Sequence, residues 1–203
     1  MAGTTALIRW GGGEPLLPIL KQIDTELFLT INTSFSHRVL DQLFLIATEP
    51  IYYILPVVLA VLFFLKSNLK RTLVVVALSV TTLALTDTLC DELLKPFFYR
   101  PRPCHPDLMF QGARCIAGVK TSLSFPSAHA MNIFAQATLF AFLFPARSVF
   151  FFLFALMIGI SRIYLGFHYP LDVVGGALIG SGIAVGVYCV YRFARKRYVP
   201  AVV

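Results

Sequence analysis

The chain has 203 residues, of which 58% are hydrophobic and only 13% charged, against about 25% charged in an ordinary soluble domain. The apolar residues fall in blocks, which argues against a soluble domain and for one compact membrane bundle. The net charge is +7, but so apolar a chain does not suit a nucleic-acid binder, and its basic residues fit phosphates or anionic headgroups.

The first 13 residues are Gly-rich and lack the apolar run of a cleavable signal peptide. Residues 16–31 read as an amphipathic helix, with Leu16, Ile19, Leu20, Ile23, Leu27 and Ile31 sharing a face. Lys21, Asp24 and Glu26 make it a poor spanning segment, so it is expected to lie along the interface. Five segments then suit a hydrocarbon core of about 30 Å: residues 42–65, 72–94, 130–144, 149–165 and 173–191. The third is short, which puts its true start near Ser127. The fifth carries Gly175, Gly176, Gly180, Gly182 and Gly186, small residues that allow close helix contact in a bilayer. The expected fold is all-α: a membrane helix bundle of five spanning helices plus an N-terminal interfacial amphipathic helix, in a single domain over residues 1–203.

Tight connections at residues 66–71 and 145–148 carry Lys or Arg, and the chain ends with Arg192, Arg195, Lys196 and Arg197. The positive-inside rule puts these three regions in the cytoplasm. The opposite side holds basic residues too, so the assignment requires that several of them serve a function. The polar loop over residues 97–125 and the turn over residues 166–171 lie on that second side, and every chemical motif falls there.

Three stretches carry the chemistry. Lys95 is followed by Arg102-Pro103. Pro126-Ser127-Ala128-His129 opens a helix. Ser161-Arg162 precedes His168 and Asp172. Lys95, Arg102 and Arg162 are cations at helix ends. One such cation alone is as readily explained by snorkelling to headgroups. Three of them beside two His match the equatorial oxygens of a phosphoryl group. A helix starting at Ser127 is an anion site. Ser127 reads as an N-cap that could also donate to phosphate, with Ala128 beside it, and His129 suits general-acid work. His168 and Asp172 are four residues apart, which brings them to one face of a helix beginning near His168. The carboxylate would fix the tautomer and leave the other ring nitrogen free to attack phosphorus; a purely structural His–Asp pair is the competing reading.

These residues, in this order and spacing, resemble the three signature motifs of the type 2 phosphatidic acid phosphatase superfamily, with Ala128 where the family pattern usually has Gly. The resemblance implies a phosphoric or diphosphoric monoester hydrolase. The implied catalytic residues are His168, His129 and Asp172, with substrate binding by Lys95, Arg102, Ser127, Ala128 and Arg162. The implied route is a phosphohistidine on His168, with His129 as acid and then base. It also implies that no metal or cofactor is needed, and no Cys/His cluster here has metal-ligand spacing. The partners expected are a lipid phosphate substrate and the membrane, with no nucleic acid. The expected location is the inner (plasma) membrane, with the site facing the periplasm or outer side. The small chain resembles the undecaprenyl-diphosphate phosphatases, which implies undecaprenyl diphosphate as the leading substrate; the loop over residues 102–115 also resembles members acting on lipid A or phosphatidylglycerophosphate, so lipid A 1-phosphate and phosphatidylglycerophosphate are the alternatives. Outside that class stand a vanadate-type haloperoxidase, which five apolar spans argue against, and a lipid transporter, which would not explain the paired His168 and Asp172.

Cys104 and Cys115 would then lie in an oxidising compartment, where a disulfide is favoured over two free thiols. Asp87, Asp91 and Lys95 fall at four-residue steps, and Asp91 is expected to pair with Lys95. Glu49 is a candidate either for the lipid entrance or for a buried pair.

Overall fold

A computed structural model of the chain describes residues 16–48, 66, 68–108 and 112–198. Its regular elements are helical: α1 (Leu16–Ser34), α2 (Arg38–Thr48), α3 (Leu69–Phe98), α4 (Ala128–Leu143), α5 (Ser148–Tyr164) and α6 (Pro170–Tyr198). Three segments are long and apolar enough to cross a membrane: Leu69–Phe98, Pro145–Tyr164 and Pro170–Arg197. They overlap three of the five expected spans. Apolar α4 starts beside Ser127 as expected, and its 16 residues make about 24 Å of helix, less than a hydrocarbon core of about 30 Å. Of the remaining span, residues 42–65, only the part up to Thr48 lies within the described residues, and Glu49 lies outside them.

α3 starts at Asn68, whose side chain accepts from Arg71 N–H at 3.0 Å. A π-helical stretch, Leu89–Leu94, runs into Lys95, a distortion that often marks functional sites. Asp91 and Lys95 nevertheless pair across it at 2.6 Å, as expected. Tyr99 ends the helix in the left-handed conformation, φ 44°. Ser127 caps α4, accepting from Ala130 N–H at 3.4 Å. The Arg71 guanidinium stacks 5.2 Å from the Phe144 ring centroid, so the start of α3 and the end of α4 share the end of the bundle away from the long loop.

The closest packing is between α4 and α6, and glycine makes it possible. A Cβ on Gly180 would come 2.0 Å from Met131 O, and one on Gly176 2.7 Å from Ser127 O. Gly182 and Gly186, expected to act in the same way, have nothing within 4 Å of that position; further along, Tyr188 of α6 stacks on Phe142 of α4 with ring centroids 4.6 Å apart.

α1 packs on the other helices by its more polar face. Ile19, Leu20, Ile23 and Leu27 are exposed, while Asp24, Phe28 and Asn32, at four-residue steps, are buried. The apolar face therefore points away from the protein and the partly polar face packs inward. In a bilayer this arrangement is natural, because lipid is as apolar as a leucine core.

A hydrogen-bond network holds the long loop to the helices. Arg114 N–H donates to Asn32 Oδ1 (2.6 Å), and Asn32 Nδ2 donates to Arg114 O (2.9 Å) and Tyr164 O (2.8 Å). Asp41 on α2 accepts from Arg114 Nη2 (2.6 Å) and Tyr164 Oη (2.5 Å). Cys104 and Cys115 form a disulfide.

Candidate functional site

Where the end of α3, the long loop, the start of α4 and the turn between α5 and α6 converge, a pocket of about 560 Å³ opens. Lys95, Arg102, Ala128, His129, Arg162 and His168 line it, together with Asp87, Asp91, Lys120, Ser122, Asn132 and Phe167. Six of the eight residues singled out by sequence are thus on one wall system. The other two, Ser127 and Asp172, are fully buried. Ser127 acts in the structure as the helix cap.

The α5–α6 turn depends on Gly166. Its φ of 86° is a left-handed value, and a Cβ there would meet Cys104 Sγ at 2.7 Å and Arg114 O at 2.9 Å. Phe167 and His168 then donate their N–H groups to Arg162 O at 3.0 and 3.3 Å. α6 begins at Pro170, a favoured first helical residue, so His168 sits in the turn and not in the helix as expected. The four-residue spacing still brings the pair together: His168 Nδ1 is 3.5 Å from Asp172 Oδ2.

Asp172 is densely held. Its Oδ2 also accepts from Tyr169 N–H at 2.8 Å and from the Ser124 hydroxyl, and Ser124 Oγ lies 3.4 Å from His168 Nδ1. Its Oδ1 accepts from Arg100 Nη1 at 2.8 Å, and its backbone carbonyl accepts from Ser127 N–H at 3.0 Å, tying the starts of α4 and α6 together. A carboxylate beside Nδ1 keeps the proton on that nitrogen and leaves Nε2 as an acceptor. His168 is 2% exposed. Burial pushes its imidazole down to about 4, against the Asp172 hydrogen bond, which raises it; the ring is neutral near pH 7.

Arg102 Nη1 stands 3.3 Å from His168 Nε2 and donates to Phe167 O at 3.2 Å, while its Nε donates to Ser122 O at 3.2 Å. Burial pulls the Arg102 guanidinium below its ordinary value. The Phe167 ring gathers three cations, with Arg162, Arg102 and Lys120 at 5.0, 5.9 and 5.9 Å from its centroid. His129, in the first turn of α4, is open to the pocket. Asn132, one turn on, donates to Asp87 Oδ1 at 2.7 Å. Among the described residues no group of three or more His, Cys, Asp or Glu is arranged to hold a metal ion.

Sequence reasoning missed Ser124, Phe167, Arg100 and Asp24. Only Asp24 left a readable signal, as one of two carboxylates in α1.

A buried His–Asp pair, a ring of cations and a helix start, set at one end of a bundle of apolar helices, define a membrane enzyme that acts on phosphate. The family model of the PAP2 superfamily matches residues 72–196. The lipid A 4′-phosphatase of Bacteroides thetaiotaomicron is 32% identical over 187 residues, covering 89% of this chain and 81% of that protein. The lipid A 4′-phosphatase of Porphyromonas gingivalis is 28% identical over 184 residues, covering 89% and 78%. The crystal structure of Aquifex aeolicus LpxE superposes with a TM-score of 0.63 at 27% identity, covering 82% of this chain and 95% of that one. The chain belongs to the PAP2 superfamily, and it is a membrane phosphoric monoester hydrolase of the lipid phosphatase kind.

Proposed function

We propose that the chain removes a phosphate monoester from a lipid A-type glycolipid through a phosphohistidine on His168. The observation that carries the chemistry is the 3.3 Å approach of Arg102 Nη1 to His168 Nε2, which puts a phosphate-binding guanidinium at the nitrogen left free to attack. Arg102, Arg162 and Lys95 take the phosphoryl oxygens, and the helix start at Ser127-Ala128 adds its dipole. The Nε2 lone pair attacks phosphorus, the P–O bond to the sugar breaks, and His129 gives a proton to the leaving oxygen; burial and then Arg162 push its imidazole down to about 3, and the negative charge of the bound phosphate raises it again so that it can hold that proton. Neutral His129 then takes a proton from water. The resulting attack on phosphorus breaks the N–P bond, returns its electron pair to Nε2 and releases inorganic phosphate. Asp172 keeps the His168 proton on Nδ1 throughout. No step uses a metal or cofactor.

Undecaprenyl diphosphate was the leading expectation from chain size; the relatives matching most of this chain carry lipid A names instead, and the proposal moves with them. The pocket faces the periplasm or outer side of the inner membrane, because the basic connections at residues 66–71 and 145–148 and the tail lie at the other end.

The test is inorganic phosphate release by the purified protein from lipid A, phosphatidylglycerophosphate and undecaprenyl diphosphate presented in the same micelles. Preference for lipid A is expected. Preference for either of the other two overturns the substrate assignment, and lipid flipping without phosphate release from any of them would return the chain to the transporters.

A further inference from the structure

The Asp172 carboxylate is itself held from a distant part of the chain. Arg100 spreads its fork between two buried carboxylates: Nη1 donates to Asp172 Oδ1 at 2.8 Å, and Nη2 donates to Asp24 Oδ2 at 2.5 Å. Both carboxylates are fully buried. The guanidinium lies 4.0 Å from the Tyr169 ring centroid, so its plane is held as well as its ends. Asp24 does a second thing: its Oδ1 accepts from Leu171 N–H at 2.8 Å, in the first turn of α6, one residue before Asp172.

From this geometry we infer that Asp24 and Arg100 are positioning residues for the His168–Asp172 pair, on the reading that His168 is the nucleophile. Arg100 takes Oδ1 of Asp172 and so turns Oδ2 toward His168 Nδ1. A planar fork fixes direction in a way a point charge does not. Asp24 sets the fork and, through Leu171, the first turn of α6. The placement also accounts for a carboxylate on the inward face of α1: without Arg100, two buried negative charges would stand uncompensated, and without Asp24 the guanidinium would be free to leave Asp172. α1 thus belongs to the site although none of its residues lines the pocket. The arrangement is one of alternating charges, Asp24, Arg100, Asp172, leading to the imidazole.

The experiment measures kcat, KM, melting temperature and the rate of phosphohistidine formation for Asp24→Asn, Arg100→Lys and the double variant. Asn keeps the shape of Asp24 and an oxygen for Leu171 N–H but removes the charge that sets the fork. Lys keeps the charge of Arg100 but loses the fork. Displacing a reacting group by about 1 Å can cost about 10²-fold in rate. The expected result is a fall in kcat of about ten- to a hundred-fold per folded enzyme in each single variant, with slower phosphohistidine formation and KM within about three-fold, at a temperature below the lowered melting point of each variant. The double variant should be no slower than the worse single one by more than about two-fold, because both act through one chain. Wild-type kcat in Asp24→Asn, or activity lost only in step with folded protein, overturns the inference. Should Asp24→Asn not fold, Arg100→Lys decides alone: reduced kcat at constant KM supports the inference and wild-type kcat overturns it. Trapping phosphohistidine on the wild-type protein checks the underlying reading separately.

Discussion

Arg102 and His168 meet at one point: a guanidinium nitrogen 3.3 Å from the imidazole nitrogen that Asp172 leaves without a proton. On the proposed route, the group that would bind the phosphoryl oxygens and the group that would attack phosphorus are placed by one contact. A phosphate entering here exchanges the His168 nitrogen for its own oxygens as partners of Arg102. Arg102→Ala should lower kcat/KM by about 10²–10³-fold, the usual loss when one preorganised donor to transition-state charge is removed. Phosphate release measured over a range of substrate concentration checks this.

The neutrality of His168 has a consequence for stability against pH. Its imidazole is pushed down to about 4 in the folded protein and titrates near 6.5 when unfolded. Between those values the unfolded chain binds the extra proton and the native one does not, so the stability this group contributes falls as pH drops from about 6.5 to 4 and levels off below. Thermal unfolding in detergent from pH 4 to 7 should show this slope in the wild type and a shallower one in His168→Gln.

The α4–α6 seam gives a paired test. Gly180→Ala puts a methyl group 2.0 Å from Met131 O, a backbone atom that cannot rotate away, so the helices must part. A loss of about 1–3 kcal/mol is expected. Gly182→Ala meets nothing within 4 Å and should be neutral or slightly stabilising, since Ala is the better helix former. Melting temperatures of the two variants in the same micelle compare them directly.

The Cys104–Cys115 bridge closes a loop with a sequence separation of 11, beside the Gly166 turn that carries His168. Cys104→Ser should cost about 3 kcal/mol of stability. Chemical denaturation of both forms, with the wild type also tested after reduction, measures it.

Much of this layout was legible in the sequence. Membrane helices are apolar over long runs, and composition alone located the interiors of α3, α5 and α6. The motif residues are close together in sequence, so spacing predicted the His168–Asp172 pair even though His168 lies just outside the helix. The Asp91–Lys95 pair was readable for the same reason. What could not be read was long-range. Asp24 and Arg100 are 76 positions apart, with no periodicity connecting them. Ser124 looked like one loop serine among several. The face of α1 that packs inward was also hidden: amphipathicity identifies two faces, but lipid and protein both accept the apolar one, and here the buried Asp24 and Asn32 decide.

The most direct measurement is trapping of the enzyme, quenched in alkaline detergent, during turnover of a 32P-labelled lipid phosphate. The account predicts acid-labile, base-stable label on the protein in stoichiometric amounts, absent in His168→Ala and accumulating in a variant such as His129→Gln when the substrate carries a leaving group that needs no proton. Phosphate release at the wild-type rate by His168→Ala, or turnover with no label on the wild-type protein at any quench time, would contradict it.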